Sequence, residues 1–169
     1  MARAYLGLGS NLGDKRSMLL QAMARLDAAP GVRVTARSGM YRTPPWGDTN
    51  QDWFLNAAAA VETTLAPHAL LNTCLEIERQ LGRVRERKWG PRLIDIDVLA
   101  YEGETVSDGN LILPHRFVLE RAFVLIPLAE IAPDLVIDGV RVVEALKKLD
   151  PTGIERAADS RGRLDGGQG

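Results

Sequence analysis

Two acids two residues apart, Asp95 and Asp97, stand in the run Leu93-Ile94-Asp95-Ile96-Asp97-Val98-Leu99, where aliphatic residues alternate with carboxylates. That alternation is the period of a β-strand. Both carboxylates leave one face, with Cα atoms roughly 6.6 Å apart, while Ile94, Ile96 and Val98 point the other way into a core. Ionised acids at that spacing repel each other unless cations sit between them, and Mg²⁺ suits the place when phosphate oxygens complete its shell. An isolated Asp-x-Asp is more often a solvated face than a metal site. The residues just before it shift that balance: Arg83, Arg85, Arg87, Lys88 and Arg92 put five cations within ten residues. A solvated charge run is the plain alternative. A polyphosphate with its metals is the chemical one, because guanidinium groups fork onto phosphate oxygens. No G-x-x-x-x-G-K-[ST] sequence occurs, so a nucleotide would be held by side chains rather than by a phosphate-cradling loop.

The rest of the composition argues that any basic site is local. The 169 residues carry 21 basic and 22 acidic side chains, and the isoelectric point is near 6.1. Neither a nucleic-acid-binding protein nor a membrane-surface protein is expected from that balance. The length suits one domain, read as residues 1–156, followed by a polar, glycine-rich tail at 157–169 expected to be disordered. Cys74 has no second cysteine with which to form a disulfide or a metal cluster, which suits a reducing cytoplasm. No signal peptide or membrane span is expected from the short apolar run at the start.

Several elements must position the acids. Residues 2–8 read as a first strand ending in a turn over Gly9–Gly13, and Asp14 is placed to cap a helix with Met18, Leu19, Ala22, Met23 and Leu26 on one face; Pro30-Gly31 ends it. Gly7, Gly9 and Gly13 miss the dinucleotide fingerprint by one residue, and no acid closes the second strand (Val32 to Ser38), so packing and turning explain them better. Arg42 to Gln51 reads as a loop carrying Trp46, and Trp53 to Thr63 as a strand weakened by four alanines. A second helix starts at Ala66-Pro67 with Leu70, Leu71, Cys74, Ile77 and Leu81 as its apolar stripe, and Gly82 caps it. Beyond the acids, Phe117 to Ile131 reads as helical and Val140 to Leu149 as a last strand and helix.

With these pieces in order, residues 2–150 resemble the 6-hydroxymethyl-7,8-dihydropterin pyrophosphokinase family. The resemblance rests on Gly9-Ser10-Asn11-Leu12, Tyr41-Arg42-Thr43-Pro44-Pro45-Trp46-Gly47, Phe54-Leu55-Asn56-Ala57, Gly82-Arg83-Val84-Arg85, Trp89-Gly90-Pro91-Arg92 with the acid pair, Pro114-His115 and Arg121-Ala122-Phe123. It implies a ferredoxin-like α+β fold, a mainly antiparallel sheet with helices packed on it, which agrees with the β-α-β-β-α-β order above. It implies pyrophosphoryl transfer from ATP to the hydroxymethyl oxygen of the dihydropterin, releasing AMP, in a monomeric cytoplasmic enzyme. Asp95 and Asp97 would then hold two Mg²⁺ ions, with Arg83 and Arg92 completing the catalytic set. Thr43, Pro44, Trp46, Phe54, Asn56, Trp89 and Phe123 would receive the pterin. Glu78, Arg85, Arg87, Lys88, Trp89, Arg92, Ile96, His115 and Arg121 would receive the nucleotide. Lys88 stands where the best-known members carry Arg, with Arg87 as the alternative closing cation, and Arg116-Phe117 departs from the family pattern.

Each assignment has a bland counterpart. Phe54 and Phe123 could be plain core, His115 a surface or capping residue, and Glu78 a solvated acid at a helix end. Two rival functions also remain at this stage, a non-catalytic nucleotide- or metal-sensing domain and a Mg²⁺-dependent phosphohydrolase. An aromatic pair with an Asn favours the first assignment, since a sensor needs no such slot.

Overall fold

The first strand, β1 (Ala2–Ser10), pairs antiparallel along both edges, with β4 (Phe54–Thr63) on one side and β5 (Asp95–Tyr101) on the other. The computed structural model describes residues 1–44, 52–82 and 94–157. The far edge of β4 is shared by β2 (Val32–Arg37) and β3 (Tyr41–Thr43). Between those two strands Ser38 continues the ladder: its N–H donates to Ala58 O at 2.9 Å and its Oγ accepts the Ala58 N–H at 2.8 Å. A last strand, β10 (Glu155–Arg156), extends the sheet beyond β3. The frame β2-β4-β1-β5, with helices α1 (Lys15–Ala28) and α2 (Pro67–Gln80) as crossovers, has the strand order of a ferredoxin-like α+β sheet, as expected.

The two faces of the sheet are covered differently. Helices α1 and α2 bury Leu6, Leu8, Val61, Ile96 and Val98 on one face. On the other, α3 (Ala122–Ile131) and α4 (Val142–Leu146) cover Ala58, Leu99 and Ala100. Leu99 is an extra residue in β5, since Leu6 pairs with Val98 and Tyr5 with Ala100, and this bulge carries its side chain into the α3 layer. The four alanines of β4 do not weaken it, because the strand is paired on both edges and small residues let layers close on both faces.

Local signals explain the helix ends. Asp14 Oδ1 accepts the Ser17 N–H at 3.0 Å, satisfying a donor that the first turn of α1 leaves open. Asp14→Ala is expected to cost about 1 kcal/mol and to lower the melting temperature by about 2–4 °C in a thermal unfolding scan; an unchanged melt would show the cap to be idle. Helix α2 begins with Pro67 in its first turn and ends before Gly82, whose φ of +85° suits a residue without Cβ.

Several boundaries differ from expectation. Strand β1 continues through Gly9 to Ser10, so only Gly13, at φ +70°, belongs to the turn. Arg42 and Thr43 pair with Leu55 and Phe54 instead of opening a loop. The helix expected from Phe117 starts at Ala122; the preceding residues make two tight turns, Val118 N–H to His115 O and Glu120 N–H to Phe117 O, and Arg121 is extended. The last strand and helix expected from Val140 to Leu149 are β9 (Val140–Arg141) and α4, whereas β9's hairpin partner β8 (Val136–Ile137) and the hairpin of β6 (Val106–Ser107) with β7 (Ile112–Leu113) had no signal of their own. Ala157, expected in the tail, donates to Met40 O at 2.8 Å and packs on the core. The rest of that tail, 158–169, lies outside the described residues.

Candidate functional site

Three neighbouring strands present small or polar residues on the face that α3 leaves uncovered. Gly9 of β1 lies in register between Asn56 of β4 and Asp95 of β5, and Gly7 lies between Ala58 and Asp97. Two strand spacings, roughly 10 Å, therefore separate the backbone of Asn56 from that of Asp95. The glycines between them form a floor without side chains. A cavity of about 140 Å³ opens there, bounded by Thr43, Pro44, Phe54 and Asn56 on one side, Asp95 and Asp97 on the other, and Arg121, Phe123 and Val124 from the start of α3. A larger cavity of about 750 Å³ lies along the outer edge of β5, lined by Glu78, Ile96, His115 and Phe117 and by the β6–β7 turn. Asp95 and Asp97 line both.

The pterin-assigned residues Thr43, Pro44, Phe54, Asn56 and Phe123 thus meet in the smaller cavity. Phe54 and Phe123 are half-buried with cavity-facing surface, so neither is plain core. Asn56 Nδ2 donates to Thr43 Oγ1 at 2.7 Å. Strand β3, which carries Thr43, is held by Glu130 of α3: its carboxylate accepts from Tyr41 OH at 2.6 Å and from the Gly39 N–H at 3.1 Å, and meets Arg156 at 3.3 Å. Burial, reinforced by that carboxylate, pushes the Tyr41 phenol up to about 12.

Glu78, Ile96 and His115 meet in the larger cavity, as assigned to the nucleotide. Glu78 is not the solvated acid of the bland alternative. It is 2% exposed, and its Oε2 accepts the Ile96 N–H at 2.7 Å. Among the described residues β5 is the sheet edge, so this carboxylate takes a donor that no neighbouring strand there accepts. Beyond it, His115 N–H donates to Leu99 O at 2.8 Å. Burial, then the Arg121 guanidinium, hold the His115 imidazole below its ordinary range, against Asp95 pulling the other way. The β6–β7 turn is held to α2 by His68 Nε2 and Asp108 Oδ2 at 2.6 Å, while Asp108 Oδ1 takes the N–H groups of Asn110 and Leu111.

Arg121, assigned to the nucleotide, lies beside residues of both cavities. It lines the smaller cavity, with its guanidinium carbon 4.7 Å from the Phe117 ring centroid and 5.7 Å from that of Phe123. Burial lowers its pKa, while Asp97 and Glu120 act to raise it. It stands at the boundary between the cavities, beside the acid pair. Trp46, Arg83, Arg85, Arg87, Lys88, Trp89 and Arg92 lie outside the described residues. Near the smaller cavity's β3 side, Lys15 Nζ lies 4.0 Å and Arg42 Cζ 4.4 Å from the Trp53 ring centroid, and Lys15 also bonds Asp52 at 2.9 Å.

Sequence reasoning missed Gly7, Gly9 and Phe117 as site residues. The first two carried a usable signal, since glycines two apart in a strand share a face just as the two acids do. Among the described residues no group of three or more His, Cys, Asp or Glu side chains gathers as a metal cluster. Two carboxylates on one face remain, a donor set suited to a hard cation that takes its other oxygens from a phosphate chain.

Residues 5–133 match the family described as 7,8-dihydro-6-hydroxymethylpterin-pyrophosphokinase. A 2-amino-4-hydroxy-6-hydroxymethyldihydropteridine pyrophosphokinase of Methylorubrum extorquens is 73% identical over 156 residues, covering 92% of this chain and 99% of the relative. The enzyme of the same description from Pseudomonas aeruginosa is 41% identical over 155 residues, covering 91% and 96%. Among solved structures, wild-type Plasmodium falciparum HPPK-DHPS aligns with a TM-score of 0.73 at 14% identity, covering 98% of this chain and 49% of that one. At that identity the likeness speaks for the fold.

Proposed function

From the premise that this chain belongs to the 7,8-dihydro-6-hydroxymethylpterin-pyrophosphokinase family, we propose that its two cavities are the two substrate sites and that Asp95 and Asp97 are the place where they react. The enzyme transfers a pyrophosphoryl group from ATP to the hydroxymethyl group of the dihydropterin, a step of folate biosynthesis. The carrying observation is that the acid pair lines both cavities. A reaction between two bound molecules needs its charged centre at their common wall.

In this reading the pterin lies flat on the glycine floor. Phe54 and Phe123 offer it ring surface, worth about 1–3 kcal/mol per stacked heterocycle by analogy with nucleobases. Asn56 presents a donor and an acceptor to its edge. The triphosphate occupies the larger cavity along β5, with His115 and Ile96 beside it and Arg121 at the junction. Arg83, Arg85, Arg87, Lys88 and Arg92 are assigned to the phosphates from sequence, and Trp46 and Trp89 to closing over the site. The alcohol oxygen bonds to the β-phosphorus as the bond from that phosphorus to the α–β bridging oxygen breaks; AMP leaves with that oxygen, and the alcohol proton passes to solvent. Two Mg²⁺ ions, when bound, supply neutralisation of the phosphate oxygens and acidify the alcohol. Asp95 and Asp97 hold them, and Arg121 adds a fixed cation where charge shifts toward AMP. We also propose a monomer, in a reducing cytoplasm that suits the fully buried free Cys74.

An assay for AMP decides between this reading and a phosphohydrolase. AMP is expected only when the hydroxymethyldihydropterin is present, in equal amount to pyrophosphorylated pterin. ATP consumption independent of the pterin would overturn it.

A further inference from the structure

We propose that Gly9 and the Thr43 hydroxyl are positioning residues that fix the Asn56 carboxamide in one orientation, and so set which edge of a flat heterocycle the smaller cavity accepts. The inference rests on the reading of that cavity as the pterin site and adds how its selectivity is built. The amide is held at two points. On the β3 side its Nδ2 donates to Thr43 Oγ1 at 2.7 Å, and Thr43 is 2% exposed, so water does not compete for that bond. On the β1 side its Oδ1 lies over Gly9, so close that a Cβ there would sit 2.6 Å from it. The register makes both contacts possible, since Gly9 is directly opposite Asn56 and Thr43 is the residue opposite Phe54 on the far edge.

The glycine matters because of what it lacks. Any side chain at residue 9 would occupy the volume of the amide oxygen and drive the carboxamide off the floor. Gly9 also favours one of the two flipped forms. A bare Cα leaves room for a carbonyl oxygen against it, whereas an NH₂ turned there would need an acceptor on that side to keep its hydrogen bond on burial. Thr43 could bond either form, so the choice falls to the Gly9 side. The result is a fixed acceptor toward β1 beside one remaining N–H toward the cavity. Its complement is a flat ring bearing an N–H next to a ring acceptor or carbonyl.

The test is calorimetric binding of 6-hydroxymethylpterin to protein loaded with a non-hydrolysable ATP analogue and Mg²⁺. Gly9→Ala and Thr43→Val are each expected to weaken pterin binding about tenfold, near the worth of one buried hydrogen bond, with analogue binding changed by less than about twofold. Thr43→Ser is expected to stay within about twofold of wild type, since it keeps the hydroxyl. In an Asn56→Ala background Gly9→Ala should cost nothing further, because the oxygen it displaces is gone. Unaltered pterin affinity in Gly9→Ala and Thr43→Val, additive losses in the double variant, or a matching loss of analogue affinity would each overturn the proposal. A wild-type protein that binds the analogue but no pterin would strike instead at the two-cavity reading.

Discussion

Asp97→Ala is expected to lower turnover by about 10³-fold or more while leaving the fold in place, a loss of about 4 kcal/mol in transition-state stabilisation. The two halves of that expectation have separate causes. Asp97 is exposed, on a strand whose apolar residues Ile96 and Val98 face the opposite layer, so truncating it removes no core contact. It relieves repulsion from Asp95 but gives up attraction to Arg121, and the free variant should melt within about 3 °C of wild type. The chemical loss comes from the position of the residue at the wall common to both cavities. One carboxylate cannot hold divalent charge on both sides of the transferred group.

A second readout does not depend on turnover. Saturating Mg²⁺ and an ATP analogue at about 100 times Kd should stabilise wild type by about 2.7 kcal/mol, and so raise its melting temperature by roughly 5–10 °C. Asp97→Ala should lose most of that rise. Near-normal turnover, or an undiminished ligand-induced shift, would remove the acid pair from the mechanism.

What could be read in the chain and what could not divide along a physical line. Asp95 and Asp97 announce themselves because their period of two is local, and the same holds for the α1 stripe and its Asp14 cap. The floor does not. Gly7 and Gly9 share a face by the same period of two, but glycine is read first for packing and backbone freedom, whereas here it leaves space between Asn56 and Asp95. That use depends on the register of three strands drawn from residues 2–10, 54–63 and 95–101, which no local pattern encodes. Phe117 was misread for a related reason: its apolar neighbours resemble a helix, but the chain turns twice before Arg121. The turns put that aromatic in the wall of the larger cavity, with the Arg121 guanidinium over its ring. Family resemblance found Phe54, Asn56 and Phe123 without explaining how Thr43 and Gly9 hold the amide among them.

Glu78 is the other position where sequence and structure part, and it carries the second large expectation. Helical spacing puts it one turn after Cys74, beside the apolar stripe, with nothing to say whether it is wet or dry. The structure buries it and turns its carboxylate to the Ile96 N–H, the backbone donor between the two acids. Glu78→Leu would leave that donor unpaired at a covered sheet edge, at a cost of about 1–3 kcal/mol. It would also free β5 to shift against α2, and a displacement on the order of 1 Å at Asp95 and Asp97 costs about 10²-fold in rate. Glu78→Gln keeps an acceptor of the same length and should stay within about fivefold of wild type in kcat, with its stability near wild type. Thermal melts and steady-state kinetics on the two variants separate the roles. If Glu78→Gln is as slow as Glu78→Leu yet melts like wild type, the negative charge acts on the nucleotide itself and the strand-anchoring account fails. If Glu78→Gln recovers both, the buried acid serves as the neighbour that the edge strand lacks.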